Sequence, residues 1–199
     1  MSATYCYLHL RGPGRDTVAL ATSLDQTRAR WQAEGVTVWG VWSGLFGVAS
    51  NELLVVAATE SDAALPAFTG ALDPTVRVQD ALRLAPTVRP VSTAPCRRSG
   101  LYVFRFFDVR TNDVEEVASL SKQAWETFEN TSAYAAEPQG LFREVGATRD
   151  PGRMLLVTWY DGLESWQTSR RPAPEATANF QRRRSLTLGT LALATTLVT

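Results

Sequence analysis

The 199-residue sequence predicts an α+β protein made of two ferredoxin-like βαββαβ repeats in tandem, forming a pseudo-dimeric α+β barrel. Three observations predict it. The order β-α-β-β-α-β can be read twice along the chain, with a period of about 97 residues. The halves share local sequence: Gly44-Leu45-Phe46 followed by Glu52-Leu53-Leu54-Val55-Val56 parallels Gly140-Leu141-Phe142 followed by Met154-Leu155-Leu156-Val157-Thr158, and Tyr5 and Tyr7 align with Tyr102 and Phe104. Each unit would also leave one face of its four-stranded sheet bare, and two such sheets packed face to face cover one another. The expected boundaries are residues 1–90 for the first repeat, 91–100 for a linker and 101–199 for the second.

In the first repeat, Thr4 to Arg11 is rich in Tyr and Leu and reads as a strand. Gly12-Pro13-Gly14 is a turn and no phosphate loop, because no GxxxxGK[ST] pattern follows and the proline removes an amide donor. Asp16 suits the N-cap of a helix whose apolar residues run from Val18 to Trp31, with Gly35 as its stop. Val36 to Phe46 and Glu52 to Thr59 are strands. Ser61 or Asp62 would cap a short helix to Leu72, and a strand around Ala81 to Val88 closes the repeat. In the second repeat, Leu101 to Arg110 is a strand, and Asn112 with Glu115 forms a capping box before a helix to about Thr131. Gln139 to Gly146 and Arg153 to Tyr160 are strands. A helix from Gly162 is interrupted by Pro172 and Pro174 and resumes to Arg184, and Leu186 to Val198 closes as a strand.

Composition narrows the function classes. Apolar residues make up 45% and charged residues 20%, with a formal net charge of zero, which argues against nucleic acid and membrane partners. The chain opens without a signal peptide, and its longest apolar run, Leu186 to Val198, is too short to span a bilayer. Cys6 and Cys96 match no metal or redox spacing, so a reduced, cytoplasmic protein without a metal is expected.

His9 is the only histidine, which excludes a histidine-cluster metal site. By strand alternation it shares a face with Tyr5 and Tyr7, while Cys6, Leu8 and Leu10 go under the helices. His9, with Tyr7 or Tyr5, could move a proton, or could be a hydrogen-bonded structural histidine. Trp31 and Trp125 sit at equivalent helix positions and read as core. Trp39 and Trp42 fall on opposite faces of a regular strand, and Trp159 is a pocket-wall candidate. Arg105, flanked by Phe104, Phe106 and Phe107, would need a partner if buried, and Glu144 on a neighbouring strand is the natural one. Either Arg105 holds a carboxylate, enolate or phenolate, or the pair is structural. The run Arg182-Arg183-Arg184 reads as a solvated face.

The second half resembles the NIPSNAP group of the dimeric α+β barrel superfamily. The carrying residues are Leu101-Tyr102-Val103-Phe104-Arg105-Phe106-Phe107, the helix with Trp125, Gly140-Leu141-Phe142-Arg143-Glu144-Val145-Gly146 and Val157-Thr158-Trp159-Tyr160-Asp161-Gly162-Leu163. The first half lacks the arginine, with Leu8 in its place. The resemblance implies a superfamily of cofactor-free monooxygenases, polyketide cyclases, haem enzymes and isomerases, among which fold does not choose. The expectation is an enzyme of specialised metabolism acting, without a cofactor, on a small apolar or aromatic substrate, as a monomer or homodimer. Its chemistry would be proton transfer (cyclisation or isomerisation) or monooxygenation. His9, Tyr7 and Arg105 are the catalytic candidates, and Tyr5, Trp39, Trp42, Phe104, Glu144 and Trp159 the pocket, which is expected inside the barrel between its two sheets. The alternatives are a non-catalytic barrel that binds a ligand or partner, and haem binding through His9.

Overall fold

The computed structural model describes residues 3–171 and 174–198. Pro172, expected to interrupt a helix, lies outside the described residues. The chain is α+β and divides into two compact units, the first of residues 3–86, 91–98 and 193–198 and the second of residues 87–90 and 99–192. Among the described residues no helix is long and apolar enough to cross a membrane.

The first unit contains β1 (Thr4–Arg11), α1 (Val18–Ala33), β2 (Val36–Phe46), β3 (Glu52–Thr59), α2 (Leu65–Thr69) and β4 (Arg77–Pro86). Its sheet is antiparallel in the order β4-β1-β3-β2. Cys6, Leu8 and Leu10 alternate onto one face and meet Leu20, Leu24 and Trp31 of α1 and Phe68 of α2 in a closed core. The four-residue spacing of Leu20 and Leu24 places them on one side of the helix, and the Trp31 indole donates to the Phe68 carbonyl at 3.0 Å. Tyr5, Tyr7 and His9 take the other face, as strand alternation requires.

Local details differ from the sequence reading. Helix α1 starts at Val18, whose N–H donates to the Asp16 carboxylate at 3.0 Å, so the cap acts one residue out of place. Helix α2 spans only Leu65–Thr69, with Ala64 at its N-cap, and Asp62 pairs with Arg83 rather than capping it. Trp39 and Trp42 do not take opposite faces. The register of β2 against β3 shifts between Val38 and Gly40, so the extra residue brings both rings to one side, with centroids 5.8 Å apart.

The second unit contains β5 (Leu101–Val109), α3 (Val114–Glu129), β6 (Ala136–Glu144), β7 (Gly152–Tyr160), α4 (Leu163–Ser169), α5 (Pro174–Leu186) and the first part of β8 (Thr187–Leu197). Its order is β8-β5-β7-β6. The capping box is absent: a short 3-10 turn at Thr111–Asp113 leads into α3, and the Asp150 carboxylate accepts from the Thr111 N–H at 2.8 Å.

The two units share their strand register. Tyr7 and Gly40 both pair with Val56, as Phe104 and Gly140 both pair with Val157. Both second strands bulge just before that glycine, and in both the next-but-one aromatic, Trp42 or Phe142, lies over it where a Cβ would stand. Gly140 therefore matches Gly40, not Gly44 as the local sequence suggested, while Leu8 does match Arg105.

Candidate functional site

The residue at the Leu8 position decides where the site forms. Leu8 is fully buried in a filled core. Arg105 is one of a row, Val103, Arg105 and Phe107, that faces α3 and α5 across a cavity of about 550 Å³. The facing row of β7 is Leu156, Thr158 and Tyr160, and the helices supply Trp125, Phe128, Phe180 and Arg183. Helices α3 and α5 pack on one another. Phe128 at their junction meets Tyr160 and Phe180 edge-to-face, with centroids 6.4 Å away in each case. Trp125 is held from behind by Arg89, whose guanidinium lies 5.2 Å from the ring centroid and forms an ion pair with Glu129. The walls are thus aromatic and braced.

The charges in this cavity are cationic. Arg183 is 8% exposed, lies 5.4 Å from the Phe107 ring centroid and 5.0 Å from that of Phe180, and donates to Ser121 Oγ at 3.3 Å. Burial, with Arg105 nearby, pushes its pKa down to about 10. Arg105 is also lowered, chiefly by burial, with Tyr160 opposing and Arg170 adding to the shift. Tyr160 is buried, and burial holds its phenol above the ordinary value although Ser169 and the arginines Arg105, Arg170 and Arg183 pull the other way. Arg170 and Arg184 also line the cavity and are exposed. Among the described residues no carboxylate forms an ion pair with any of these four arginines.

Several expected site residues lie elsewhere. Glu144 does not pair with Arg105: its carboxylate accepts the Arg153 N–H at 2.9 Å, at the end of the hairpin. Phe104 and Trp159 alternate to the face opposite Arg105, and the Trp159 indole donates to the Ser99 carbonyl at 2.9 Å. In the first unit, Tyr5, Tyr7, Trp39 and Trp42 are all buried; Tyr5 donates to the Ser92 carbonyl at 3.0 Å and meets Trp39 edge-on. His9 Nε2 lies 2.8 Å from Glu52 Oε2, and Glu52 also accepts from Arg11 Nε at 2.8 Å and from the Ala49 N–H at 3.1 Å. This ties the 47–51 turn to the end of β1. The ring offers Nε2 to a carboxylate that Arg11 and Ala49 also hold, so haem ligation through that atom does not fit. Burial would raise the Glu52 carboxyl, but the bonds from Ala49, His9 and Arg11 outweigh it and leave the pKa below the usual range.

Arg183 and Tyr160 were missed from the sequence. Tyr160 lies an even number of residues from Leu156, on the row paired with that of Arg105. Arg183 follows Phe180 by three positions on α5, so it shares the buried side of that helix while Arg182 turns outward to Glu116.

No family model matches the sequence, and no curated protein matches it. Solved structures do. A ferredoxin-fold protein related to antibiotic biosynthesis monooxygenases, from Listeria monocytogenes, is 11% identical, with a TM-score of 0.55 over 100% of this chain and 96% of that one. An anthrone oxidase-like protein is 15% identical, with a TM-score of 0.60 over 98% and 92%. A mutant chlorite dismutase from Candidatus Nitrospira defluvii is 12% identical, with a TM-score of 0.62 over 100% and 93%. At these identities the likeness establishes the fold: this is a ferredoxin-like α+β protein spanning nearly the full length of those structures. The site must be argued from its own residues.

Proposed function

We propose that this protein is a small-molecule enzyme that binds an aromatic or otherwise apolar anion in the second unit and works on that anionic form. One observation carries the reading: Arg105 and Arg183 face an aromatic-walled cavity with no carboxylate partner among the described residues. A buried guanidinium without a counter-charge costs several kcal/mol, and an enolate, phenolate or carboxylate would supply that charge.

The chemistry follows from the electrostatics. Cationic walls in a low-dielectric cavity lower the pKa of an ionisable substrate, so a phenol or an acidic C–H next to a carbonyl is held as its conjugate base. Tyr160, kept protonated by burial, donates a hydrogen bond to that oxygen. The resulting carbanion-like species is competent for isomerisation or cyclisation, or for attack on dioxygen supplied from solution. The fold-level likeness to monooxygenase-related and anthrone oxidase-like proteins supports this reaction class. The NIPSNAP-like motifs of the second half, the tandem-repeat division of the chain and a cytoplasmic setting for its two cysteines, which form no disulfide, belong to the same proposal. A second reading places proton transfer at His9, favoured by its hydrogen bond to Glu52.

The test is a spectral titration of 4-nitrophenol with and without protein. The expected result is a bound probe whose pKa is lowered by about one unit or more, with the shift lost in Arg105→Met. A bound probe of unchanged pKa, or an equal shift in Arg105→Met, overturns the proposal. The absorption spectrum of the protein as purified tests haem and flavin separately.

A further inference from the structure

The charge balance of the same cavity bears on the kind of anion it takes, an inference that rests on the anion-binding reading. Several arginines outside the cavity have an acidic partner: Arg11 binds Glu52, Arg83 binds Asp62, Arg89 binds Glu129 and Arg182 binds Glu116. Those that line the cavity have none among the described residues. Arg105, Arg170, Arg183 and Arg184 all line it, and among the described residues no aspartate or glutamate does.

The four divide by depth. Arg183 is buried and fixed, with Phe107 and Phe180 beside its guanidinium and Ser121 taking one donor. Arg105 is half-buried on the sheet floor. Arg170, just past the end of α4, and Arg184, one residue beyond Arg183, are exposed. Arg184 also lies two residues beyond one that does find an acidic partner, since Arg182 reaches Glu116 at 2.7 Å. One bound carboxylate would meet the inner pair and leave the outer pair facing the ligand uncompensated.

We infer that the ligand of this cavity carries at least two negative charges on a flat apolar frame, one held by Arg105 and Arg183 and a second met at the mouth by Arg170 and Arg184. Among aromatic acids this selects dicarboxylates, or carboxylates bearing an ionised phenol or enol, over simple monoacids. The inner pair sets whether an anion binds at all. The outer pair sets which anion is preferred.

Ligand-observed NMR titrations with benzoate, terephthalate and dimethyl terephthalate test this at low and moderate salt. Terephthalate is expected to bind about tenfold or more tightly than benzoate, with the steeper salt dependence, and the neutral diester not to bind. The double variant Arg170→Gln/Arg184→Gln is expected to bring terephthalate down to the benzoate level and leave benzoate nearly unchanged. Benzoate and terephthalate binding equally to the native protein would overturn the two-charge inference and leave the anion-binding reading standing. Equal loss of both anions in the double variant would also overturn it, because the outer pair would then be serving the inner charge. Binding of the diester in preference to either anion would overturn the anion-binding reading itself.

Discussion

Replacing Arg183 with methionine is expected to stabilise the ligand-free protein while weakening its hold on an anion. The guanidinium is buried, and its fall to about 10 from the ordinary arginine value converts to roughly 3 kcal/mol against the charged form. Methionine keeps an unbranched apolar stem between Phe107 and Phe180 and removes the charge. Against this gain stand the hydrogen bond to Ser121, about 1 kcal/mol, and the two cation–π contacts, about 0.5–1 kcal/mol each. The balance favours methionine by up to about 1 kcal/mol, a rise in Tm of at most about 2–4 °C for a chain of this size. The sign with pH agrees. A base whose folded pKa is lowered binds fewer protons folded than unfolded between about 10 and the ordinary arginine value, so its penalty is fully present at neutral pH and is relieved only as pH rises through that window. Thermal and urea unfolding at neutral pH, with and without terephthalate, measure both effects. The exposed Arg182→Met serves as a control and should leave the Tm unchanged. If Arg183→Met lowers the Tm by several degrees, the guanidinium is a net stabilising strut and the case from uncompensated charge fails.

Other outcomes can be measured on the same protein. Glu52→Gln should destabilise it by about 2 kcal/mol in urea, since a buried carboxylate that accepts from His9, Arg11 and Ala49 is lost. Because the folded Glu52 carboxyl lies below its usual range, its stabilisation is present above that range and disappears as pH falls through the folded value. The native protein should therefore lose more stability than Glu52→Gln when urea midpoints at pH 7 and pH ~3 are compared. Gly40→Ala and Gly140→Ala should each cost about 1–3 kcal/mol in chemical denaturation, because a Cβ there meets the ring of Trp42 or Phe142. Cys6 is fully buried and its thiol is pushed up to about 12 by burial, so thiol titration of the folded protein should label Cys96 and reach Cys6 only after unfolding.

The element order was legible because period-two and helical patterns are local. So was the phase of β1: Cys6, Leu8 and Leu10 go under the helix because a fully apolar row has nowhere else to go. What failed depended on tertiary insertions or partners. The bulge that turns Trp39 onto the side of Trp42 adds one residue, which no alternation count can show. Glu144 was paired with Arg105 on proximity in the fold, but its oxygen is taken by a backbone N–H at the hairpin end, a local bond that outcompetes a longer reach. Arg183 was hidden inside a run of three arginines that reads as solvated surface. Only the phase set by Phe180 separates it from its two neighbours.

The contrast between Leu8 and Arg105 is what separates the proposed anion site of the second unit from the core of the first. The two positions share one register, and both face their own helices. In the first unit that space is filled: Leu8 meets Leu20, Leu24, Trp31 and Phe68, all nearly or fully buried. Were packing the sole requirement, leucine at 105 would serve the second unit equally well and spare it the desolvation of a guanidinium. Instead the arginine is kept, a second one is buried beside it on α5, and the volume between them stays open. Two like charges near one another, one buried and one half-buried, are a standing cost to the empty protein. That cost turns into binding energy only when an anion enters. A cavity lined in this way is therefore better explained by what it holds than by how the unit folds, and the first unit shows how the same fold packs where a leucine takes the arginine's place.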